Sequence, residues 1–366
     1  MWTDNPICAE DLRQIASCPS VAWEKLRGKT VLVTGATGLI GSYLVSALCY
    51  QVLQGVPMRI LAVVRDRGKA ERLFAPQRAQ TDALSFVVGT MESFPAIDAP
   101  VDYIVHGAAP TASRFMAEQP VETIRAILAG TEAVLELARS SSCRGLVFLS
   151  SLEVYGALHR EEKIREDHAA MVDTMAPRSS YPEAKRLAEA LCASYASEYH
   201  VPAKVIRLTQ TFGPGRQAGD RRVWSQFLDG VLAHEDIVLL TDGGTRRSYL
   251  YLSDAVTAIL TVLLDGVPAT AYNAANEATY VSIRGMAEAV AELTAHHPDG
   301  PIRVTRKRDA ADAQVFPPEL YMDLDTTRLR RLGWQPAYGL HEMFERTLAA
   351  EAQALRAAGA GRSACT

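Results

Sequence analysis

A chain of 366 residues, 48% hydrophobic and 22% charged, is long enough to bury its own core without disulfides or metal. Its net charge is -4 and its longest basic run is only Arg306-Lys307-Arg308, which argues against a phosphate-tracking surface, so no nucleic-acid partner is expected. The six cysteines (Cys8, Cys18, Cys49, Cys143, Cys192, Cys365) show no metal-ligand spacing, the amino terminus is acidic where a signal peptide would be basic, and no apolar run reaches membrane length; the expectation is a cytoplasmic protein with no membrane partner and no metal.

Residues 1–28 are weakly patterned and read as a helical arm against the main body. From Lys29 onward, short apolar runs bounded by Gly or Asp alternate with longer stretches of helical periodicity. The predicted strands are Thr30–Thr34, Arg59–Val64, 85–88, Tyr103–His106, 145–150 and Ala203–Leu208; the predicted helices between them are 39–51, 121–139 and 181–199. This alternation predicts an α/β fold with a doubly wound parallel sheet over 29–211. A smaller lobe is expected over 212–350, with a helix at Val223–Ala233, a strand at 237–240 and helices at 253–264 and 282–295. The lobe is expected to interleave with the first unit, because 271–275 again reads as a sheet strand, and residues 351–366 read as a flexible tail.

The first strand runs into Gly35-Ala-Thr37-Gly38-Leu39-Ile40-Gly41, where a helix begins. Gly35 permits the tight turn, Gly38 lets backbone N–H groups approach a pyrophosphate, and Gly41 lets the helix pack close to the strand, while the helix N-terminus faces the phosphates. A Rossmann dinucleotide site follows, lined by Gly35, Thr37, Gly38, Leu39, Ile40 and Gly41. The second strand ends before Arg65 and Asp66. An acid there would hold the ribose hydroxyls of NAD and an arginine would meet the 2′-phosphate of NADP, so the pair leaves both cofactors open.

Tyr181 and Lys185 lie one helical turn apart and emerge on one face, where an ammonium favours the phenolate over the phenol. About thirty residues earlier the fifth predicted strand ends in Ser150-Ser151-Leu152-Glu153. Ser151, with Ser150 second, is placed to hydrogen-bond a substrate oxygen. Glu153 is the candidate for further acid/base work. His106 reads as a structural histidine, His296-His297 as a loop and not a ligand pair, and Trp224, Phe227 and Trp334 as core.

These motifs, with Val105-His-Gly-Ala108-Ala109, Ser150-Ser-Leu-Glu-Val-Tyr-Gly156, Arg207-Leu-Thr-Gln210-Thr-Phe-Gly213-Pro214, Thr241-Asp-Gly-Gly-Thr-Arg-Arg247-Ser-Tyr and Leu324-Asp-Thr-Thr-Arg328, resemble those of the extended short-chain dehydrogenase/reductase family, in its nucleotide-sugar epimerase/dehydratase/decarboxylase branch. The likeness runs from about Lys29 to Leu348, and the feel is closest to the nucleoside-diphosphate-glucuronate decarboxylases. It implies a Rossmann domain with a C-terminal substrate-binding lobe, NAD tightly bound and recycled with NADP as the alternative, a nucleoside-diphosphate sugar as substrate, and a homodimer through the helices 121–139 and 181–199. Ala108 and Ala109 would line the cofactor, and Gln210, Arg222 and Arg247 would meet the substrate.

The implied mechanism has Tyr181 take the C4 hydroxyl proton during oxidation to a 4-keto sugar, with Lys185 and Ser151 stabilising the oxyanion. A UDP-glucuronate decarboxylase-like or dehydratase-like reaction follows from it. The alternatives are a 4-epimerase, an NADP-dependent carbonyl reductase and a non-catalytic nicotinamide-nucleotide sensor. Departures from the family pattern are Leu152 where dehydratases carry an acid and decarboxylases a serine, Gln210 for an asparagine, Ala126-Ile127-Leu128 where an asparagine is usual, and Gly89-Thr90 for an acid.

Overall fold

The computed structural model describes residues 5–168, 171–216, 219–307 and 319–363; Arg308, Cys365 and the ends of the expected arm and tail lie outside them. The described residues form fourteen strands: β1 (Thr30–Thr34), β2 (Arg59–Val64), β3 (Leu84–Val88), β4 (Tyr103–His106), β5 (Gly145–Ser151), β6 (Lys163–Ile164), β7 (Ala203–Leu208), β8 (Gln210–Phe212), β9 (Ile237–Leu239), β10 (Arg246–Tyr251), β11 (Ala271–Ala274), β12 (Asn276–Ser282), β13 (Val304–Arg306) and β14 (Tyr321–Leu324).

Seven of them form one sheet in the order β11-β7-β5-β4-β1-β2-β3, every pairing parallel. The central strands β1, β2 and β4 are largely apolar because both faces are covered. Alternation along β1 shows this directly. Val31 and Val33 join the core shared with the helices Leu39–Leu53 and Leu252–Asp265, whereas Leu32 joins the core shared with Pro120–Ser140 and Ser180–Tyr199. The Rossmann sheet expected from the sequence is therefore present, and the expected strand near 271 extends it as β11. The helix Leu252–Asp265, expected within the smaller lobe, packs on this sheet, and each of its residues from Leu252 to Leu264 is buried.

The arm is helical over Pro6–Ala16. Asn5 caps it by accepting from the Ile7 and Cys8 amides, and Cys8, Asp11, Leu12 and Ile15 form a buried stripe at helical spacing. Its apolar members enter the core shared by β1 and the Leu39–Leu53 helix. A second sheet, β12-β10-β14-β6 with β8 also paired to β10, carries the smaller lobe. There Phe212 stacks on Trp224 at 4.9 Å and meets Phe344 at 4.8 Å. Trp224, Phe227 and Trp334 are buried, as expected of core residues. The residues read as a tail are helical through Ser363, within the helix Leu340–Ser363.

Candidate active site

β1 delivers the chain into the glycine turn. Gly35 sits at φ +69°, where an L side chain is strained, and a Cβ on it would lie 2.8 Å from the Gly107 carbonyl group. A Cβ on Gly41 would overlap the Gly35 carbonyl oxygen, so the helix Leu39–Leu53 approaches the turn only because position 41 is bare. Gly38 caps that helix without any side-chain partner for its first amides, which leaves them to a ligand. Thr37, Leu39 and Ile40 are half-buried around the turn.

Thr34 ties the neighbouring strand end to it. Its hydroxyl accepts from the Gly107 and Ala108 amides at 3.2 and 3.1 Å and bonds His106 Nδ1 at 2.7 Å. His106 is buried between Thr34 and Thr131; burial, aided by the Lys185 charge, lowers its pKa to about 3, so the ring is neutral and structural. The half-buried Ala108 and Ala109 follow at the same strand end. At the end of β2, Asp66 caps the helix Arg67–Leu73 through the Lys69 amide at 2.9 Å, and Arg65 is exposed. The bare turn and the uncapped amides suit a dinucleotide pyrophosphate.

Tyr181 and Lys185 occupy the start of the helix Ser180–Tyr199, and both are buried, Lys185 at 2% exposure. Pro182 is tolerated there because first-turn amides have no partner within the helix. Lys185 Nζ donates to the Leu149 carbonyl at 2.7 Å and lies 4.4 Å from the Phe148 ring centre and 5.8 Å from that of Tyr181. Burial lowers its pKa to about 8 against the opposing pull of Glu189. Burial, then the Glu153 charge, raises the Tyr181 phenol above its ordinary range, while the Ser151 hydroxyl, as its hydrogen-bond partner, and Arg178 act in the other direction.

The pleat separates the two serines. Ser151 faces Tyr181 and accepts from the Glu153 amide at 3.2 Å, whereas Ser150 is buried and donates to Glu189 at 2.5 Å. Ser151 is thus the serine beside Tyr181. Glu153 is ion-paired with Arg178 at 3.1 Å. Sequence reading missed Arg178, although it stands three residues before Tyr181. Leu152 is buried with Val154, Tyr155, Ile164 and Leu324, so the position that carries an acid in dehydratases is core here.

On the substrate side, Ser151 is in register with Leu208, and two residues later Gln210 opens β8 opposite Tyr249 of β10. Arg247, on the same β10, is half-buried, and its Nε is buried with no hydrogen-bond partner among the described residues. Such an orphaned guanidinium donor suits an anionic ligand. Arg222 differs: Asp220 holds its guanidinium, with Nε 3.0 Å from both carboxylate oxygens, and it lies 4.8 Å over the Trp224 ring. His297 stacks on His234 at 3.9 Å, and with Asp299 the two histidines bring their ligand atoms within 4.8 Å of one another.

Residues 31–275 match the model of the NAD dependent epimerase/dehydratase family. The chain belongs to this family. Its cofactor is accordingly NAD. Among curated relatives, UDP-glucuronic acid decarboxylase 6 of Arabidopsis thaliana is 28% identical over 315 residues, covering 85% of each chain. UDP-glucuronic acid decarboxylase 1 of Xenopus tropicalis is 26% identical over 326 residues, covering 87% of this chain and 71% of the relative. Of solved structures, UDP-glucose 4-epimerase of Thermotoga maritima with UDP-glucose superposes with a TM-score of 0.72 at 20% identity, covering 89% of this chain and 99% of that one. The dTDP-glucose 4,6-dehydratase of Bacillus anthracis in complex with NAD gives 0.70 at 19% identity, covering 89% and 97%. At such identities these two show the shared fold.

Proposed function

We propose that the chain decarboxylates a UDP-glucuronate-like nucleotide sugar through a 4-keto intermediate. The observation that carries this reading is the convergence of Ser151, Tyr181 and Lys185 at the end of β5, beside a glycine turn built for a dinucleotide. The likeness to decarboxylases over 85% of the chain supports it. In this reading 29–211 presents the cofactor and 212–350 the sugar nucleotide.

NAD, when bound, supplies a reversible two-electron acceptor that remains on the enzyme and is recycled. Gly35, Thr37, Gly38, Leu39, Ile40 and Gly41 would cradle its pyrophosphate, Asp66 or Arg65 would face the adenosine ribose, and Ala108 and Ala109 would line the path. Tyr181 takes the C4 hydroxyl proton, Lys185 as ammonium favours the phenolate, and Ser151 hydrogen-bonds the C4 oxygen. A C6 carboxylate beside a C4 ketone is a β-keto acid. Its C5–C6 bond breaks with the electron pair passing into the C4 carbonyl as an enolate, and a proton returns to C5, for which Glu153 is the nearby acid. Arg247 and Gln210 bind the diphosphate side, with Arg222 joining them only by leaving Asp220.

The protein is proposed to act as a homodimer, because Val121, Ile124, Leu187 and Tyr199 are exposed apolar residues on the helices Pro120–Ser140 and Ser180–Tyr199. A cytoplasmic location is supported by the free cysteines Cys8, Cys18, Cys49, Cys143 and Cys192. Among the described residues no helix is long and apolar enough to cross a membrane.

A second reading, 4-epimerisation, is favoured by the burial of Leu152 and by the engagement of Glu153 with Arg178, since an epimerase needs no further acid. Incubation with UDP-glucuronate, UDP-glucose and dTDP-glucose separates the two. Carbon dioxide and a UDP-pentose from UDP-glucuronate support decarboxylation, and a C4 epimer without carbon dioxide overturns it.

A further inference from the structure

The turn that carries Ser151 and Glu153 is held at its flanks by one buried ion pair. Arg207 of β7 binds Glu189 through Nε at 3.1 Å and Nη2 at 2.6 Å, with the two side chains only 14% and 12% exposed. On one side Glu189 accepts from the Ser150 hydroxyl at 2.5 Å. On the other, Arg207 Nη1 donates to the Tyr155 hydroxyl at 2.9 Å while the guanidinium lies 4.9 Å over the Tyr155 ring. The Tyr155 hydroxyl in turn donates to Asn273 Oδ1 at 2.6 Å, which fixes the phenol from its far side.

The helix of Tyr181 reaches the same turn at further points. Lys185 donates to the Leu149 carbonyl and Arg186 Nε to the Val154 carbonyl, both at 2.7 Å. Glu189 stands one helical turn after Lys185 and two after Tyr181, so the clamp and the proton-handling pair share one rigid face. A buried ion pair is a weak source of stability, because desolvation offsets its attraction. Its strict geometry is what it contributes here.

We propose that the Glu189–Arg207 pair is a positioning device, gripping Ser150 and Tyr155 so that Ser151 and Glu153 between them are held in register with Tyr181 and Lys185. The proposal rests on the catalytic roles given above. It assigns positioning roles to Ser150, Tyr155, Glu189 and Arg207.

Ser150→Ala and Tyr155→Phe each release one grip while leaving the ion pair intact, so the full chain loaded with NAD is compared with both variants and their double. The double variant is expected to bind NAD as the wild type does and keep KM within about twofold, while kcat falls about tenfold or more, the cost of slight misplacement at a reacting centre. Sugar-free hydrogen exchange gives a second readout. The Glu153 amide, which donates to Ser151, should exchange at least about tenfold faster with the global melting temperature little changed. Unchanged exchange at Glu153, or a kcat loss absent or wholly replaced by a rise in KM, overturns the proposal. If the wild type converts no nucleotide sugar, the functional reading fails by itself, and the exchange measurement alone decides whether the clamp holds the turn.

Discussion

At the residue scale, the site depends on a phenol and an ammonium that burial drives in opposite directions, Tyr181 upward and Lys185 down to about 8. Tyr181→Phe removes the proposed proton acceptor and little else, so turnover should drop at least about a hundredfold while NAD affinity and melting temperature hold. Lys185 favours the phenolate only as an ammonium, a form that dominates below its pKa. The kcat/KM profile should therefore fall as pH rises through about 8, and Glu189→Gln, which removes a carboxylate favouring that ammonium, should move the fall to lower pH. At Leu152 the residue scale and the packing meet. Aspartate there would place a carboxylate among Val154, Tyr155 and Leu324, so Leu152→Asp should cost about 3 kcal/mol or more in denaturant unfolding and create no dehydratase.

At the element scale, the glycine turn works because three chain segments approach more closely than side chains allow. Gly41→Ala sets a methyl group against the Gly35 carbonyl, and Gly35→Ala meets both the Gly107 backbone and an unfavourable φ. Either variant should lose NAD affinity by about a hundredfold or fail to fold, as isothermal titration and thermal melting would show. The pairing of strand and helix was legible from the sequence because apolar runs and glycine spacing are local signals. The short strands of the smaller lobe were not. β8, β10, β12 and β14 owe their pairing to partners distant in the chain; within 212–350 strands were expected only near 237 and 271.

At the scale of the whole molecule, one carboxylate joins four parts of the chain. Asp11, fully buried on the arm helix, accepts from Tyr43 of the cofactor-side helix, from Tyr251 of β10 at 2.9 Å, and from Arg346 of the C-terminal helix at 2.7 Å. The arm is thus a structural part of the fold, fastening the strand of Arg247 to the helix that begins at the glycine turn. Asp11→Ala leaves Arg346 without this charge partner in a mostly buried setting and should lower unfolding free energy by about 3–5 kcal/mol, while Arg65→Ala at the exposed end of β2 should leave stability unchanged.

The sequence by itself determined the parallel sheet, the glycine turn, the Tyr181–Lys185 face and the family, because periodicity and motif spacing act over a few residues. It also brought the choice of serine down to two neighbours. Only the tertiary structure distinguishes their surroundings, since the pleat turns Ser151 to Tyr181 and Ser150 to Glu189. Tertiary contacts likewise made Leu152 a core residue, brought Arg178 to Glu153 and buried the arm. Each of these depends on which distant segment closes over a side chain, and local sequence carries no signal for that.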